Sequence, residues 1–271
     1  MSSRNVFDFS AYSSLESANL LHQSELKIFE LAFKDEPKPF ELFMEQLAQS
    51  GRLRRHYTQN IDCRTSRLPS LSQKTISLHG RLDRMRCHIC SQHTVLVEGN
   101  TFQELLGARC PLCDKENAER TRAEKRLHSV GFLRPDVLLY NEGDGADPQI
   151  LSAFEEDLRQ NIDAVIIVGT TLHIPHLRNF TRNLCKSMKR RGETKKSYDD
   201  KGVVAWVNKE KPRASLRALV DFEFLQDCDN FAHKISHEIT NLEGEIKPVS
   251  LGIMLTNIFR EIPRHCRFNY T

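Results

Sequence analysis

The chain has 271 residues, 39% of them hydrophobic, enough for one large domain or two small ones with a real core. Thirty-nine Lys+Arg against thirty-six Asp+Glu leave a net charge of +3, which excludes an acidic disordered chain and a histone-like polycation. Apolar runs such as 164–168 and 203–207 fall far short of the ~20 residues that cross a bilayer. Residues 1–15 lack the apolar stretch of a secretory signal, and eight cysteines are sparse for a disulfide scaffold of this length, so a soluble intracellular protein is expected.

In chain order, residues 1–23 are Ser/Asn-rich with weak periodicity and read as a poorly ordered N-terminus. SELKIFELAFK (24–34) is helix-like, with Leu26, Phe29, Ala32 and Phe33 on one side. The next helix is better marked: Pro39 suits its first turn, Phe40, Phe43, Met44, Leu47 and Ala48 repeat at helical spacing, and Gly51 can end it. RRHYTQN and TISLH (75–79) read as short strands. Residues 81–130 are Cys-, Arg- and Glu-rich with few strong apolar elements, as in a small module not held by its own core. Beyond Gly131, strands at DVLLY (136–140), DAVIIV (163–168) and 203–207 alternate with helices at 148–160, 175–191 and 229–240. Continuous apolar strands alternating with helices predict an α/β fold, a Rossmann-like parallel sheet with helices on both faces; residues 81–130 are a small inserted module, which the cysteine spacing below makes a zinc-binding module. The run 189–201 (KRRGETKKSYDDK) reads as a solvated loop rather than a nucleic-acid patch.

Cys87-x2-Cys90 is followed after nineteen residues by Cys110-x2-Cys113. Each pair is a knuckle that can aim two sulfurs at one metal, and two knuckles complete a tetrahedral thiolate cage. Four soft ligands suit Zn²⁺ and leave no open coordination position, so the predicted site is structural. His88 and His93 lie near enough to substitute, but four cysteines suffice. Cys63, Cys185, Cys228 and Cys266 have no partner at ligand spacing and read as ordinary thiols.

Polar residues gather where the predicted strands end. Tyr57-Thr58-Gln59-Asn60-Ile61-Asp62 closes one strand, His79-Gly80 the next, Gly169-Thr170-Thr171 a third and Asn208-Lys209 a fourth. In an open α/β sheet, ligands bind beyond the carboxyl ends of the strands, so the four loops predict one small-molecule crevice. Each alone is also compatible with a capping loop or a structural histidine; their convergence is what points to a site.

Together these segments resemble the sirtuins, the NAD-dependent protein-lysine deacylases. The resemblance rests on YTQNID (57–62), LHG (78–80), the double CxxC, RPDVLLYNE (134–142), VGTTLHIP (168–175), VNKEKP (207–212) and QDCDNF (226–231), in family order over roughly 24–240. LHGRLDRMRC and LRPDVLLYNE are most similar to the fungal nuclear histone deacetylases of the family. The resemblance implies an NAD-dependent histone or protein lysine deacetylase, transferring acetyl to ADP-ribose with release of nicotinamide, acting on an acetylated histone tail in chromatin. NAD and one structural Zn²⁺ are the implied cofactors; direct nucleic-acid binding and a membrane partner are not expected.

It assigns His79 as catalytic base, and Gln59, Asn60 and Asp62 to the nicotinamide and ribose pocket. Gly169, Thr170, Thr171, Asn208 and Lys209 fall to the adenosine half, with Cys228 beside the adenine. Leu138, Leu139, Tyr140, Asn141 and Glu142 form one of two edges between which an acetyl-lysine peptide adds as a strand. The implied catalytic domain spans 24–250, with Rossmann-like parts 24–80 and 131–250, zinc module 81–130 and a C-terminal tail 251–271. Two departures open an alternative, a catalytically impaired chromatin or protein-binding module. No Gly-Ala-Gly-x-Ser strand end or Gly-Ile-Pro-Asp-Phe-Arg loop precedes Thr58, and residues 1–23 contain no glycine. TQNIDGL is here TQNIDCR, so Cys63 stands where a glycine would allow a left-handed turn.

Overall fold

A computed structural model describes residues 7–95, 101–142, 147–193 and 202–243. In chain order the elements are a 3-10 turn (Phe9–Ser13), α1 (Leu15–Lys34), α2 (Pro39–Gln49), β1 (His56–Thr58), a second 3-10 turn (Arg64–Arg67), α3 (Pro69–Lys74) and β2 (Thr75–Ser77). Then come β3 (Gly80–Cys87), β4 (His93–Val95), α4 (Thr101–Leu105), α5 (Pro111–Arg122), β5 (Leu133–Val137), α6 (Pro148–Arg159) and β6 (Ala164–Val168). The last are α7 (Pro175–Glu193), β7 (Val203–Val207), α8 (Ala214–Arg217), β8 (Phe222–Phe224) and α9 (Cys228–Glu243). The chain divides into two compact units, residues 1–36 with 55–145 and residues 37–54 with 146–271.

In the first unit, β1 and β2 pair in parallel, with Tyr57 opposite Ile76. β3 is the centre of an antiparallel sheet ordered β4-β3-β5. Its inward residues Leu82, Met85 and Cys87 are fully buried and pack in one cluster with Leu21, Phe102, Leu133 and Val137. The zinc region is therefore not coreless; each of those fully buried apolar side chains contributes ~1.5–3 kcal/mol. Gly80 makes β3 possible: it sits at φ +80, and a Cβ there would lie 2.0 Å from the Asp136 carbonyl oxygen.

Two expectations are corrected here. Residues 7–23 are not a loose terminus. Asp8 caps the first 3-10 turn, and Ser14, whose hydroxyl accepts the Ser17 N–H at 3.2 Å, starts α1 nine residues earlier than expected. Leu21, Glu25 and Ala32 fall on the buried face of α1, a period disguised by the glutamate at its centre. DVLLY is not a strand of the parallel sheet: β5 runs 133–137, antiparallel to β3, and the chain turns at 138–142. β1 and β2 fall in the same compact unit as the zinc region.

The second unit holds the parallel sheet β6-β7-β8. All five residues of β7 are buried, including Trp206, whose indole N–H donates to the Glu210 carbonyl at 2.7 Å. Phe43 and Met44 of α2, Phe224, and Phe231 and Ile235 of α9 are buried in the same unit. The Phe231 ring meets Phe43 and Phe224 edge-on at 6.1 and 5.4 Å. α2 is fastened by Glu41, which accepts the Lys38 N–H at 2.7 Å, and by Asp229, which accepts that of Phe40 at 3.0 Å. Residues 194–201 of the expected basic loop and the tail 251–271, with Cys266, lie outside the described residues.

Candidate functional site

The four cysteines of the double knuckle come together as predicted, each sulfur within 4.8 Å of the others. Cys87 and Cys113 sulfurs are 3.7 Å apart, and Cys90 and Cys110 sulfurs 3.6 Å apart. A tetrahedron with Zn–S bonds of ~2.3 Å has edges of ~3.8 Å, so the spacing fits one zinc and is far too long for disulfides. The fold builds the cage from two sides: Cys87 ends β3, while Cys110 and Cys113 bracket the Pro111 start of α5. Burial pushes the Cys87 thiol up, but the backbone N–H groups of Cys90 and Ile89 outweigh it and bring it down to about 7. Gly131 closes the cage: its carbonyl accepts the Cys110 N–H at 2.8 Å, and a Cβ on it would sit 2.2 Å from the Cys87 sulfur. His88 is no ligand. Its Nδ1 accepts the Phe132 N–H at 3.0 Å and its ring stacks on Phe132.

Still in the first unit, His79 follows β2 and is half-buried. Its Nδ1 lies 3.2 Å from the Gln59 carbonyl oxygen, which can only accept, so Nδ1 carries the proton and Nε2 the lone pair. Gln59 thus meets His79 through its backbone. Asn60 donates its N–H to the Thr58 hydroxyl at 3.1 Å, and Asp62 accepts the Arg64 N–H at 3.2 Å, two side-chain turns that shape the loop after β1. Cys63 keeps the left-handed turn without glycine, at φ 61 and ψ 15. Its buried thiol donates to the Ile61 carbonyl and accepts the Asp83 N–H, both at 3.3 Å. Burial, reinforced by the Asp83 carboxylate, pushes that thiol up to about 12.

Leu138 to Glu142 form a turn whose apolar tips face solvent, Leu138 at 45% and Tyr140 at 52% exposure, while Leu139 is buried. Glu142 points inward. Its carboxylate accepts from the guanidinium groups of Arg86 and Arg134 and, at 2.9 Å, from the Leu139 N–H. Arg134 is buried, also donates to the Val137 carbonyl at 3.2 Å, and lies over the Tyr12 ring. Asn141 takes the left-handed conformation, φ 61, that turns the chain.

The remaining candidates belong to the second unit. Gly169, exposed at φ 61 after β6, donates its N–H to Val207 at 3.0 Å, and no atom lies within 4 Å of where its Cβ would be. Thr170 receives the Asn208 side-chain amide on its carbonyl at 2.9 Å and the Leu172 N–H on its hydroxyl at 3.1 Å. Thr171 is half-buried beside it. Lys209 pairs with Asp227 at 3.2 Å. The Asp229 N–H and then Lys209 hold the Asp227 carboxyl below its usual range. Cys228, half-buried at the start of α9, has its thiol raised by burial and by Asp229 and Asp227. The loops after β6 and β7 thus meet through Thr170 and Asn208.

The Sir2 family model matches residues 9–175 of the chain. The chain belongs to the Sir2 family. Its relatives include the NAD-dependent protein deacetylase hst4 of Schizosaccharomyces pombe, 32% identical over 84% of this chain and 53% of that protein. Another is the NAD-dependent histone deacetylase HST4 of Saccharomyces cerevisiae, 30% identical over 84% of this chain and 65% of that one. The hst4 of Emericella nidulans is 29% identical over 92% of this chain and 42% of its own length. The chain thus spans between two fifths and two thirds of the length of these relatives. Among solved structures, Sir2 bound to acetylated peptide superposes with a TM-score of 0.63 at 17% identity, covering 88% of this chain and 84% of that one. A Sir2 complex with p53 peptide and NAD+ gives a TM-score of 0.59 at 16% identity, covering 88% and 84%. Among the described residues, no helix is long and apolar enough to cross a membrane.

In this Sir2-family chain, reading by motif missed the residues that hold the motifs in place. Arg86 and Arg134 look like surface arginines in sequence, yet both end on Glu142. Their only signal was register: Arg86 and Arg134 are direct partners across β3 and β5. Glu25 was invisible because a glutamate in an amphipathic helix reads as solvent-facing; it is 1% exposed.

Proposed function

We propose that the chain carries out NAD-dependent deacetylation of protein lysines, with a histone tail in the nucleus as substrate. The carrying observation is the His79 constellation. A half-buried imidazole at a strand end has its Nδ1 proton committed to the Gln59 carbonyl, which leaves Nε2 as the basic nitrogen. The TQNID, LHG and double-CxxC motifs of the sequence and the named activities of the fungal relatives support the reading.

NAD, when bound, supplies an ADP-ribosyl group activated by its nicotinamide bond. Toward it, Gln59, Asn60 and Asp62 offer amide and carboxylate groups for the nicotinamide ribose, and His79 takes up the proton of a ribose hydroxyl. Gly169 leaves its backbone open at an exposed left-handed position, and the Thr170, Thr171, Asn208 and Lys209 groups beside it suit the hydroxyls and ring nitrogens of adenosine. Cys228 would line the adenine. Leu138 to Glu142 offer an edge for the acyl-lysine strand. A zinc held by Cys87, Cys90, Cys110 and Cys113 would have no open position for substrate, so it would serve the fold and not the chemistry.

The test is nicotinamide release from NAD by the purified chain with an acetylated histone-tail peptide. Release is expected to fall at least ~100-fold in His79→Ala, the scale of a lost general base. Equal release from both chains, or none with acetylated peptide, would discard the reading.

A further inference from the structure

The turn at 138–142 is the proposed peptide edge, yet the backbone groups that an added strand needs are already taken. The Tyr140 N–H donates to the Phe7 carbonyl at 2.9 Å, and its carbonyl accepts the Phe9 N–H at 2.8 Å. Asp8 and Tyr140 thereby form a parallel β-bridge. The Asn141 side-chain amide adds a bond to the Asp8 carboxylate at 2.6 Å. Neighbouring donors on the turn are spent internally: the Leu138 N–H goes to the His79 carbonyl and that of Leu139 to Glu142, both at 2.9 Å. Tyr140 is therefore the residue of this turn whose N–H and carbonyl both receive a strand, and the chain's own residues 7–9 supply it.

The contact is held by few groups. Phe9 is 44% exposed and Tyr140 52%, so the apolar contact given up when the segment lifts is mainly that of Phe7, which is half-buried against the core cluster. A few residues on, the chain is anchored: Ala11 is buried, and the Tyr12 ring lies 6.0 Å from Phe132 and under the Arg134 guanidinium. A short segment tethered beside its docking edge competes at high effective concentration with any strand arriving from solution. We propose that residues 7–9 are an intramolecular competitor of the acyl-lysine peptide, a strap that leaves Tyr140 before substrate pairs there. The proposal rests on reading Leu138 to Glu142 as the peptide edge.

Occupancy of the edge lowers the apparent peptide affinity by the fraction of molecules in which it is free. One backbone hydrogen bond is worth about two- to tenfold in that equilibrium. Phe9→Pro removes one such bond with little other disturbance. Phe9 is the first residue of a 3-10 turn and follows an extended Asp8 at φ −101 and ψ 143, a backbone that accepts proline. Asp8→Ala is the second variant; it removes the bond to Asn141 and the cap on the Ser10 N–H, both of which hold the segment, and leaves Tyr140 intact.

The experiment measures binding of a fluorescent acetyl-lysine peptide to the full chain and to both variants, with zinc content as the check on folding. Each variant is expected to bind two- to tenfold tighter than the parent. Hydrogen exchange on the parent should show the Phe9 amide losing protection on peptide saturation while that of Tyr140 keeps it. Equal or weaker binding by both variants, or a Phe9 amide still protected at saturation, overturns the strap and leaves the peptide-edge reading standing. Failure of all three chains to bind acetylated peptide overturns both.

Discussion

The first unit gathers four cysteine sulfurs at its core and buries two ionisable side chains, Glu25 and Arg134; the second also buries two, Glu45 and Asp157, but builds on a five-residue buried strand surrounded by aromatic and aliphatic side chains. The first unit's β4-β3-β5 sheet is antiparallel and tied at one end by the cage of four cysteines. The second's is parallel and depends on shape complementarity around Trp206 and Phe231. Both units are packed, but only the first adds a ligand cage to its core, so they should fail under different insults.

Metal removal tests this most severely. Structural zinc supplies ~10–16 kcal/mol in small zinc modules, comparable with the whole stability of a domain. Chelation, or Cys113→Ser, should therefore abolish the β4-β3-β5 sheet, seen as lost far-ultraviolet dichroism. Trp206, the sole tryptophan, reports on the second unit alone, and its buried emission should persist. A red shift of that emission on chelation would show that the second unit does not stand by itself. The converse is Phe231→Ala. Removing a fully buried aromatic ring should cost ~3–5 kcal/mol, with Trp206 emission moving to the red in milder denaturant while zinc stays at one per chain.

The same contrast explains what could be seen in advance. β7 and the double knuckle were legible because one is an unbroken apolar run and the other a fixed ligand spacing, both local properties. The helix α1 and the turn at 138–142 were not. α1 hides a glutamate on its buried face, and the turn depends on Glu142 reaching Arg86, a residue 56 positions away. His79 was legible as a candidate, but its tautomer follows from the Gln59 backbone, which only the parallel pairing of β1 and β2 brings near. Cys63 was expected to spoil a turn. It adopts the turn instead, because its thiol finds a donor and an acceptor.

A subtler difference lies in acid–base behaviour, because the first unit buries groups that titrate near neutrality. Burial, partly offset by Arg134, raises the Glu25 carboxyl from 4.5 to about 8. The unfolded chain then releases this proton first, and Glu25 makes stability fall as pH rises from 4.5 through 8. His56 acts in the opposite sense. Burial lowers it from 6.5 to about 4, so the unfolded chain takes up a proton first and stability falls as pH drops from 6.5 toward 4. Their slopes oppose each other between 4.5 and 6.5, and above 6.5 the Glu25 slope stands alone of the two. Glu25→Gln should abolish it, removing a loss of about 2 kcal/mol between pH 6.5 and 8 at ~1.4 kcal/mol per unit. Thermal melts at three pH values would show it; a parent chain whose melting temperature is flat over that range would contradict the buried, protonated glutamate.

The smallest expected effect sits at Cys63, where the first unit departs from the glycine its family motif carries. Cys63→Gly relieves a left-handed backbone that costs a non-glycine residue ~1 kcal/mol or more. Against this, glycine loses ~0.5–1 kcal/mol more conformational entropy on folding. It also removes a sulfur that is 7% exposed, deprives the Asp83 N–H of its acceptor and leaves the Ile61 carbonyl without that donor. A lost acceptor for a buried donor costs ~1–3 kcal/mol, so the sulfur's contacts outweigh the strain. The variant should be less stable than the parent by about 1 kcal/mol in denaturant titration, with zinc binding unchanged. Were it more stable, the strained backbone at residue 63 would cost more than the thiol's two hydrogen bonds and its burial return.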